Sequence, residues 1–207
     1  GSDVVLVSEA GTPLVSDPGF RVVAAAIAVG ARVVPVPGAS ALLAALVGAG
    51  LPTDRFVFLG FPPRKSGARR RLFESLRALP FTLVFYESPM RTGAALEDLA
   101  AVLGGARPAC VARELTKEHE EFVRGTLADL AARYRDDRPL GEVTLVVAGI
   151  DETATNEEGD DDLAARADAL LAEGLSVRDV ADQLAAATGR PRRAIYQLVV
   201  KRQSGAD

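Results

Sequence analysis

The sequence of 207 residues contains no tryptophan, one cysteine and one histidine, and aromatic residues make up only 5% of it. The single cysteine, Cys110, excludes an internal disulfide and fits the reducing cytosol. One histidine and one cysteine are too few for a zinc cluster, so we predict no metal site. No apolar run reaches the roughly 18 residues that a membrane helix needs. These absences favour a cytoplasmic protein without membrane contact.

Hydrophobic residues make up 48% of the chain and charged residues 25%, and the net charge is -4. This composition is typical of a globular protein of one or two domains with well-packed cores. The mildly acidic balance argues against a protein that coats nucleic acid, although it permits a local basic patch.

The first 150 residues alternate between apolar runs typical of strands and longer runs typical of helices. Within residues 3–50 we predict strands at 4–7 and 31–36 and helices at 20–29 and 40–49. Within residues 51–150 we predict strands at 55–61, 81–87, 108–114, 122–125 and 142–149, and helices at 67–79, 91–103 and 127–136. The βαβα order of the first region predicts a parallel sheet, and the second region predicts an α/β domain of mixed topology.

The C-terminal quarter of the chain has a different character. Residues 151–162 contain seven acidic residues and no basic residue, so we predict a mobile linker that cannot bury apolar surface. Residues 163–207 favour three helices, with Ser176 capping the second and Pro191 opening the third. A short helix, a glycine-containing turn and a basic helix are typical of a helix-turn-helix module, although three-helix caps that touch no nucleic acid share this pattern.

The motif SEAGTPLVSDPG at residues 8–19 lies between a predicted strand and a predicted helix. Loops at such positions commonly hold a ligand in α/β proteins. Gly11 lets a ligand approach the main chain closely, and Thr12, Ser16 and Asp17 offer short polar groups. An ordinary turn between strand and helix is the alternative interpretation of this motif alone.

Further motifs follow in a fixed order: VPVPGASALLAAL (34–46), FLGFPPRKSGARRR (58–71), FYESPMRT (85–92), ARELTKEHEE (112–121) and GEVTLVV (141–147). With the first motif, they closely resemble the ribosomal RNA small-subunit methyltransferase I family of the tetrapyrrole methylase superfamily. The resemblance covers about three quarters of the chain, and ordered motifs are far more specific than any one of them.

The resemblance implies a two-domain tetrapyrrole-methylase-like α/β fold followed by a helix-turn-helix-like module. Residues 1–52 then correspond to the second half of the first α/β domain, because the family's leading strand and loop have no counterpart here. Residues 53–150 correspond to the second α/β domain, 151–162 to an acidic linker and 163–207 to the helical module.

The resemblance also implies that S-adenosylmethionine binds, folded, between the two α/β domains. Its contacts in the superfamily come largely from backbone groups and small side chains. The implied cofactor-binding residues are Gly11, Thr12, Val15, Ser40, Ala41, Tyr86, Ala112, Val147 and Ala148.

A basic segment at residues 64–71 follows two prolines and concentrates cations: Arg64, Lys65, Arg69, Arg70 and Arg71. Such a cluster suits contacts with the phosphates of RNA. The alternative is the solvated start of a helix.

Removal of a proton from a ribose hydroxyl needs a group that accepts it as the methyl moves. The candidates are Glu9, Glu87, Glu114 and Lys117, which lie at predicted strand ends or in the ARELTKEHEE motif. Family members often carry aspartate at the position of Glu9, so its extra methylene shifts that carboxylate.

The family implies 2′-O-methylation of a cytidine ribose in small-subunit ribosomal RNA by a cytosolic homodimer. One alternative is methylation of a tetrapyrrole ring by the same fold, but a small macrocycle needs neither the basic segment nor the helical module. Another alternative is a fragment that binds RNA without turnover of S-adenosylmethionine.

Overall fold

The computed structural model describes residues 2–150, 160–188 and 190–204. The chain divides into two compact units after Ile150. The predicted linker falls mostly at residues 151–159, outside the described residues, and the predicted boundary after residue 52 falls inside the first unit and stays a prediction. Within the described ranges, no helix is long and apolar enough to cross a membrane.

The first unit is built on one five-stranded sheet. Its strands are β1 Phe56–Phe58, β2 Thr82–Glu87, β3 Pro108–Arg113, β4 Glu121–Thr126 and β5 Val143–Val147. Their order is β1-β2-β5-β3-β4, with β1 and β2 parallel and the other neighbours antiparallel. This arrangement confirms the predicted mixed topology.

Five helices are described in the first unit. They are α1 Phe20–Ala28, α2 Ala41–Gly48, α3 Ser66–Leu76, α4 Thr92–Leu103 and α5 Leu127–Arg133, with a 3-10 turn at Pro89–Arg91. Of these, α3, α4 and α5 cover one face of the sheet, α2 covers the other, and α1 buries no residue. The larger core lies on the face covered by α3, α4 and α5, where Phe73, Phe85 and Leu99 are fully buried. Thr126 caps α5, since its hydroxyl accepts a hydrogen bond from the amide of Asp129.

The helix α2 packs alone on the other face of the sheet. Its residues Ala45 and Leu46 contact a smaller core that includes Val84, Cys110 and Val146. Burial raises the pKa of the Cys110 thiol to about 11, so this cysteine is a packing residue at neutral pH.

The predicted helices at 20–29 and 40–49 are confirmed, but the predicted strands at 4–7 and 31–36 are wrong. Strands need partners for their backbone groups, and in the described part of the chain no strand lies beside either run. Both runs are extended chain with exposed side chains, such as Val4 and Val36 at 87% and 82%. The apolar side chains of these two runs therefore stay exposed, because neither run pairs with a strand of the five-stranded sheet.

The second unit has three helices, α6 Asp160–Ala172, α7 Val177–Thr188 and α8 Arg192–Ser204. Their apolar faces meet in a core formed by Leu163, Ala167, Val180, Leu184, Ile195 and Val199. The Ser176 hydroxyl accepts from the Asp179 amide and caps α7, as predicted. This unit confirms the predicted helix-turn-helix-like module.

Candidate active site

An open cleft of about 930 Å³ lies in the first unit, at the end of the sheet where β2 finishes and β5 begins. One wall is the loop at residues 8–17 together with the N-terminus of α2. The other wall is formed by the end of β2, the loop at 115–117 and the start of β5. Its volume is within the usual range for small-molecule sites.

Side-chain contacts fix α2 against the sheet at both ends. The Leu42 amide donates to the Tyr86 hydroxyl at 3.1 Å, and the Tyr86 ring meets that of Phe58 edge-on at 4.8 Å. At the other end, the Arg124 guanidinium donates to the Ala49 carbonyl at 3.1 Å and also to the Gly48 carbonyl. The α2 wall of the cleft is therefore held by the sheet itself.

Backbone strain is concentrated beside the cleft. Among the described residues, the non-glycine residues with positive φ are Leu14, Ser16, Glu114 and Thr116. Ser16 and Thr116 line the cleft, and the other two belong to the same two loops. Such conformations cost free energy and cluster at functional sites, which supports this cleft as the site of function.

Most of the residues implied as cofactor contacts meet at this cleft. The ones that line it are Gly11, Thr12, Val15, Ser40, Ala41 and Tyr86. The Thr12 hydroxyl donates to the Ala39 carbonyl at 2.9 Å and so joins the two segments of the first wall. Small residues at these positions leave the space that a ligand of this size needs.

Ala112, Val147 and Ala148 do not line the cleft, which corrects the expectation that they share it. Because β5 is antiparallel to β2, Val143 pairs with Glu87 at the cleft while Val147 pairs with Leu83. The end of β5 therefore lies about 10 Å along the strand from Thr144, the last residue of β5 that lines the cleft. Ala112 is fully buried beneath α2.

Sequence reasoning missed Phe61, Val143 and Thr144, which do line the cleft. The GEVTLVV motif contained the last two, but the contacts that the family resemblance implied in this region were Val147 and Ala148. Ligand sites at the carboxyl ends of strands are typical of parallel strands, and β5 is antiparallel to both of its neighbours.

Glu87 belongs to the lining of the cleft, but its carboxylate is directed to the opposite face of β2, and its role as a base stays a prediction. Successive side chains of a strand point to opposite faces, so Glu87 lies on the α4 face with Phe85 and opposite to Tyr86. Its carboxylate is fully buried, pairs with Arg91 at 2.5 Å and accepts from the Ser88 amide at 2.7 Å. Burial raises the pKa of Glu87 above its usual value despite these partners.

At the edge of the cleft, Glu114 and Lys117 form an ion pair that stabilises the charged form of each side chain. The Glu114 carboxylate accepts from the Glu142 amide at 2.9 Å and from Lys117 at 3.0 Å, and the Glu142 carboxylate accepts from Lys117 at 3.1 Å. The backbone donor and the ammonium lower the pKa of Glu114, and the two carboxylates raise the pKa of Lys117. An ammonium has no lone pair, so Lys117 cannot act as a base at neutral pH. Gly141, at φ 81°, lies against the Glu114 carboxylate, where a side chain would collide with it.

Glu9 differs from the other candidates for the base. It is exposed on the cleft wall formed by residues 8–17. Among the described residues, no side chain pairs with its carboxylate, which therefore faces the cleft without an ion-pair partner.

The basic segment divides into exposed and buried cations. Arg64, Lys65 and Arg71 are exposed. Arg69 is only 4% exposed, because Asp98 of α4 pairs with its guanidinium at 2.5 Å. The Arg69 guanidinium therefore faces the protein interior and not solvent, which does not favour its predicted contact with RNA.

Arg70 occupies an intermediate position. Its side chain is half exposed but pairs with Asp98 at 2.5 Å. Asp98 was missed, although an acidic residue on the same helical face as Ala95 and Leu99 signals a buried ion pair.

No cluster of three possible metal ligands occurs among the described residues.

Comparisons with known proteins agree with this architecture. Residues 1–131 match the family model described as Tetrapyrrole (Corrin/Porphyrin) Methylases, and residues 157–203 match that of the RsmI C-terminal HTH domain. The methyltransferase CobJ aligns at a TM-score of 0.51 with 22% identity, over 67% of this chain and 62% of that one. A conserved hypothetical protein from Aeropyrum pernix K1 aligns at 0.51 with 20% identity, over 95% and 68%. These two likenesses concern the fold alone. The family-model match over residues 1–131, which is more than half of the chain, places it among the tetrapyrrole methylases.

Relatives of higher sequence identity indicate which family within this class the chain belongs to. Ribosomal RNA small subunit methyltransferase I from Micromonospora olivasterospora is 49% identical over 96% of this chain and 63% of its own length. The protein of the same name from Mycobacterium tuberculosis strain H37Rv is 46% identical over 99% of this chain and 71% of its own length. The chain thus spans about two thirds of the length of these relatives. It belongs to the ribosomal RNA small subunit methyltransferase I family, as its motifs predicted.

Proposed function

We propose that this chain takes part in 2′-O-methylation of a cytidine ribose in small-subunit ribosomal RNA, with S-adenosylmethionine as the methyl donor. The observation that carries the proposal is the cleft lined by Gly11, Thr12 and Ser40, with the exposed cations of the basic segment in the same compact unit. The names of the relatives supply the substrate class, and the assignment to cytidine and to the 2′-oxygen is our proposal.

The residues of the cleft fit a ligand with the chemistry of S-adenosylmethionine. Gly11, Ala41 and Ala44 leave space for a folded ligand, and the hydroxyls of Thr12 and Ser40 offer hydrogen bonds. When bound, S-adenosylmethionine supplies an electrophilic methyl group. The chain must then orient the ribose oxygen in line with that group and accept the proton.

Glu9 is the residue that we propose as the proton acceptor. We expect Glu9→Gln to lower the rate of methyl transfer at least about a hundredfold, the low end for loss of a general base. Binding of S-adenosylmethionine should stay within a few-fold of wild type. Single-turnover transfer of a labelled methyl group to small ribosomal subunits measures the first quantity, and calorimetric titration measures the second.

Glu118→Gln is the matched control, because Glu118 is also exposed but does not line the cleft. Equal rates for Glu9→Gln and Glu118→Gln would contradict the role of Glu9. Mapping of the modified nucleotide tests the cytidine 2′-oxygen itself, and transfer to a precorrin-type macrocycle would favour tetrapyrrole methylation instead.

The exposed cations Arg64, Lys65 and Arg71 are proposed to contact phosphates of the RNA. We expect their joint replacement by alanine to weaken RNA binding and to reduce the slope of log affinity against log salt by up to about three. Fluorescence anisotropy with an RNA fragment at several salt concentrations measures the slope.

Joint replacement of Arg55, Arg77 and Arg135, which are exposed and lie outside the basic segment, removes the same charge elsewhere. If both triple variants reduce the slope of log affinity against log salt equally, the overall positive charge attracts the RNA and the basic segment has no special role.

The helical unit is proposed to add RNA affinity through α8, which carries exposed Arg193 and Lys201. A second weak site linked to the first raises the effective concentration of substrate. Arg192 is less available, because it pairs with Asp182 of α7. Arg202, which also belongs to the predicted basic face, has a side chain outside the described set.

Cytoplasmic location and a homodimer complete the proposal. The single buried cysteine is consistent with a reducing compartment. Exposed apolar residues, such as Phe20 at 74% and Ile27 at 61%, give α1 a surface suited to burial against a second copy. Sedimentation equilibrium of the chain tests the dimer, and a monomer at micromolar concentration would contradict it.

A further inference from the structure

Two arginines lie beneath the turn that opens the basic segment: Arg69 is buried and Arg91 is partly buried. We call residues 62–65 the PPRK turn. The Arg69 guanidinium donates to the Arg64 carbonyl at 3.4 Å, and that of Arg91 donates to the Pro62 carbonyl at 3.5 Å. Both hydrogen bonds leave the side chains of Arg64 and Lys65 exposed.

Each of these arginines is also anchored by a buried carboxylate. Arg69 pairs with Asp98, and Arg91 pairs with Glu87, both at 2.5 Å. Guanidinium groups suit this position because they offer several donors in a rigid plane. A lysine in place of Arg91 would carry all of its donors on one nitrogen, so it could not reach the Glu87 carboxylate, the Ser88 hydroxyl and the Pro62 carbonyl as the extended guanidinium does.

Arg91 connects the PPRK turn to the edge of the cleft. Its Nε donates to the Ser88 hydroxyl at 3.1 Å, and Ser88 and Glu87 both line the cleft. The chain just before the turn is tied to the same strand, because the Tyr86 amide donates to the Gly60 carbonyl at 2.9 Å. The PPRK turn is therefore fastened to the end of β2 at two points.

We propose that Arg91 is a positioning residue that fixes the PPRK turn relative to the cleft, with Arg69 supporting the turn at its other end. A fixed turn holds Arg64 and Lys65 where phosphates of the substrate pass, so less conformational entropy is lost on binding. The inference rests on the proposed function for the part that concerns RNA. The anchoring of the turn is a separate claim that can be measured without RNA.

The test uses the full chain and the double variant Glu87→Gln/Arg91→Gln. Replacing both partners avoids a buried carboxylate without a cation, which would destabilise the fold by itself. We expect the affinity for a fragment of small-subunit ribosomal RNA to fall about five- to tenfold, although neither residue contacts phosphate. In a chain that already carries Arg64→Ala/Lys65→Ala, the same double variant should have no further effect.

Such non-additivity separates positioning from a general loss of stability, because a general loss would lower the affinity equally in both backgrounds. The control is Glu97→Gln/Arg135→Gln, which removes an exposed ion pair of α4 away from the turn. It should leave RNA affinity unchanged in both backgrounds. Additive losses in the cycle would overturn the inference.

Hydrogen exchange at the amides of Ala68 and Arg69, which both donate to the Lys65 carbonyl of the PPRK turn at 3.0 Å, supplies a measurement that needs no RNA. We expect exchange at least about tenfold faster in Glu87→Gln/Arg91→Gln than in wild type, with the amides of β2 and β5 unchanged. Unchanged exchange at these two amides would overturn the inference whatever the RNA result. A wild-type chain that binds no RNA would overturn the proposed function, and the exchange rates would still decide whether Arg91 fixes the turn.

Discussion

Asp98→Asn is expected to lower the free energy of unfolding of the first unit by about 3–5 kcal/mol, because it leaves the buried guanidinium of Arg69 without a counter-charge. The Asp98 carboxylate is 5% exposed and accepts hydrogen bonds from Ser66, Arg69 and Arg70. An amide of the same shape keeps the packing but not the charge. Denaturant unfolding followed by far-UV circular dichroism measures the loss.

The adjacent residue of the same helix provides the control. Glu97 pairs with Arg135 at the surface, where both side chains are about half exposed. Glu97→Gln should therefore cost at most about 1 kcal/mol. If Asp98→Asn costs no more than this control, the buried cluster does not stabilise α3 against α4.

The pH dependence of stability should separate the two variants further. Burial alone would raise the pKa of Asp98, but the hydrogen bonds from Arg70, Ser66 and Arg69 outweigh it and hold the pKa below its usual 3.8. A carboxylate with a lowered pKa contributes its full stability above the pKa of the unfolded chain. The difference between wild type and Asp98→Asn should thus be constant above about pH 5 and should shrink as pH falls through the folded-state pKa.

Asp98 also illustrates which features of the structure could not be predicted from the sequence. The run of cations at residues 64–71 predicts exposure for all of them, since charged runs are usually solvated. Only the fold brings α4 beneath α3, so that Arg69 becomes a buried partner while Arg64 stays exposed. The sequence shows which residues are charged, but the direction of each side chain depends on the packing of two helices separated by β2.

The same distinction explains the strands. Alternation of elements predicted the mixed sheet of residues 51–150, because that region contains every strand that its pairing requires. The runs at 4–7 and 31–36 have equal apolar character but no partner in the described chain, and propensity without a partner does not make a strand. Likewise, β5 runs antiparallel to its neighbours, so Val143 at its start lies at the cleft and Val147 at its end does not. The local sequence pattern does not indicate the direction of a strand in a sheet.

Thr12→Arg is expected to abolish binding of S-adenosylmethionine, with a loss on the order of a thousandfold. Thr12 lies in the cleft wall and donates to the Ala39 carbonyl, so a longer side chain there fills the space between the two segments of that wall. If the sulfonium of bound S-adenosylmethionine lay about 4 Å from the guanidinium, their repulsion would also cost about 4 kcal/mol at the effective dielectric of a protein surface, which is a factor of about a thousand in affinity. Calorimetric titration measures the loss, and circular dichroism verifies that the variant is folded.

Two further variants decide what such a loss means. Thr12→Ser keeps the hydroxyl donor and should bind within a few-fold of wild type, because only a methyl group is removed. Val29→Arg adds the same charge beyond α1, where the side chain is 82% exposed, and should leave binding unchanged. Wild-type affinity in Thr12→Arg would show that the cofactor does not bind at residues 11–15. The cleft would then bind a different ligand. A wild-type chain that takes up no S-adenosylmethionine, yet still binds RNA through the basic segment, would instead favour the non-catalytic alternative, since the cleft and the cations would then act independently.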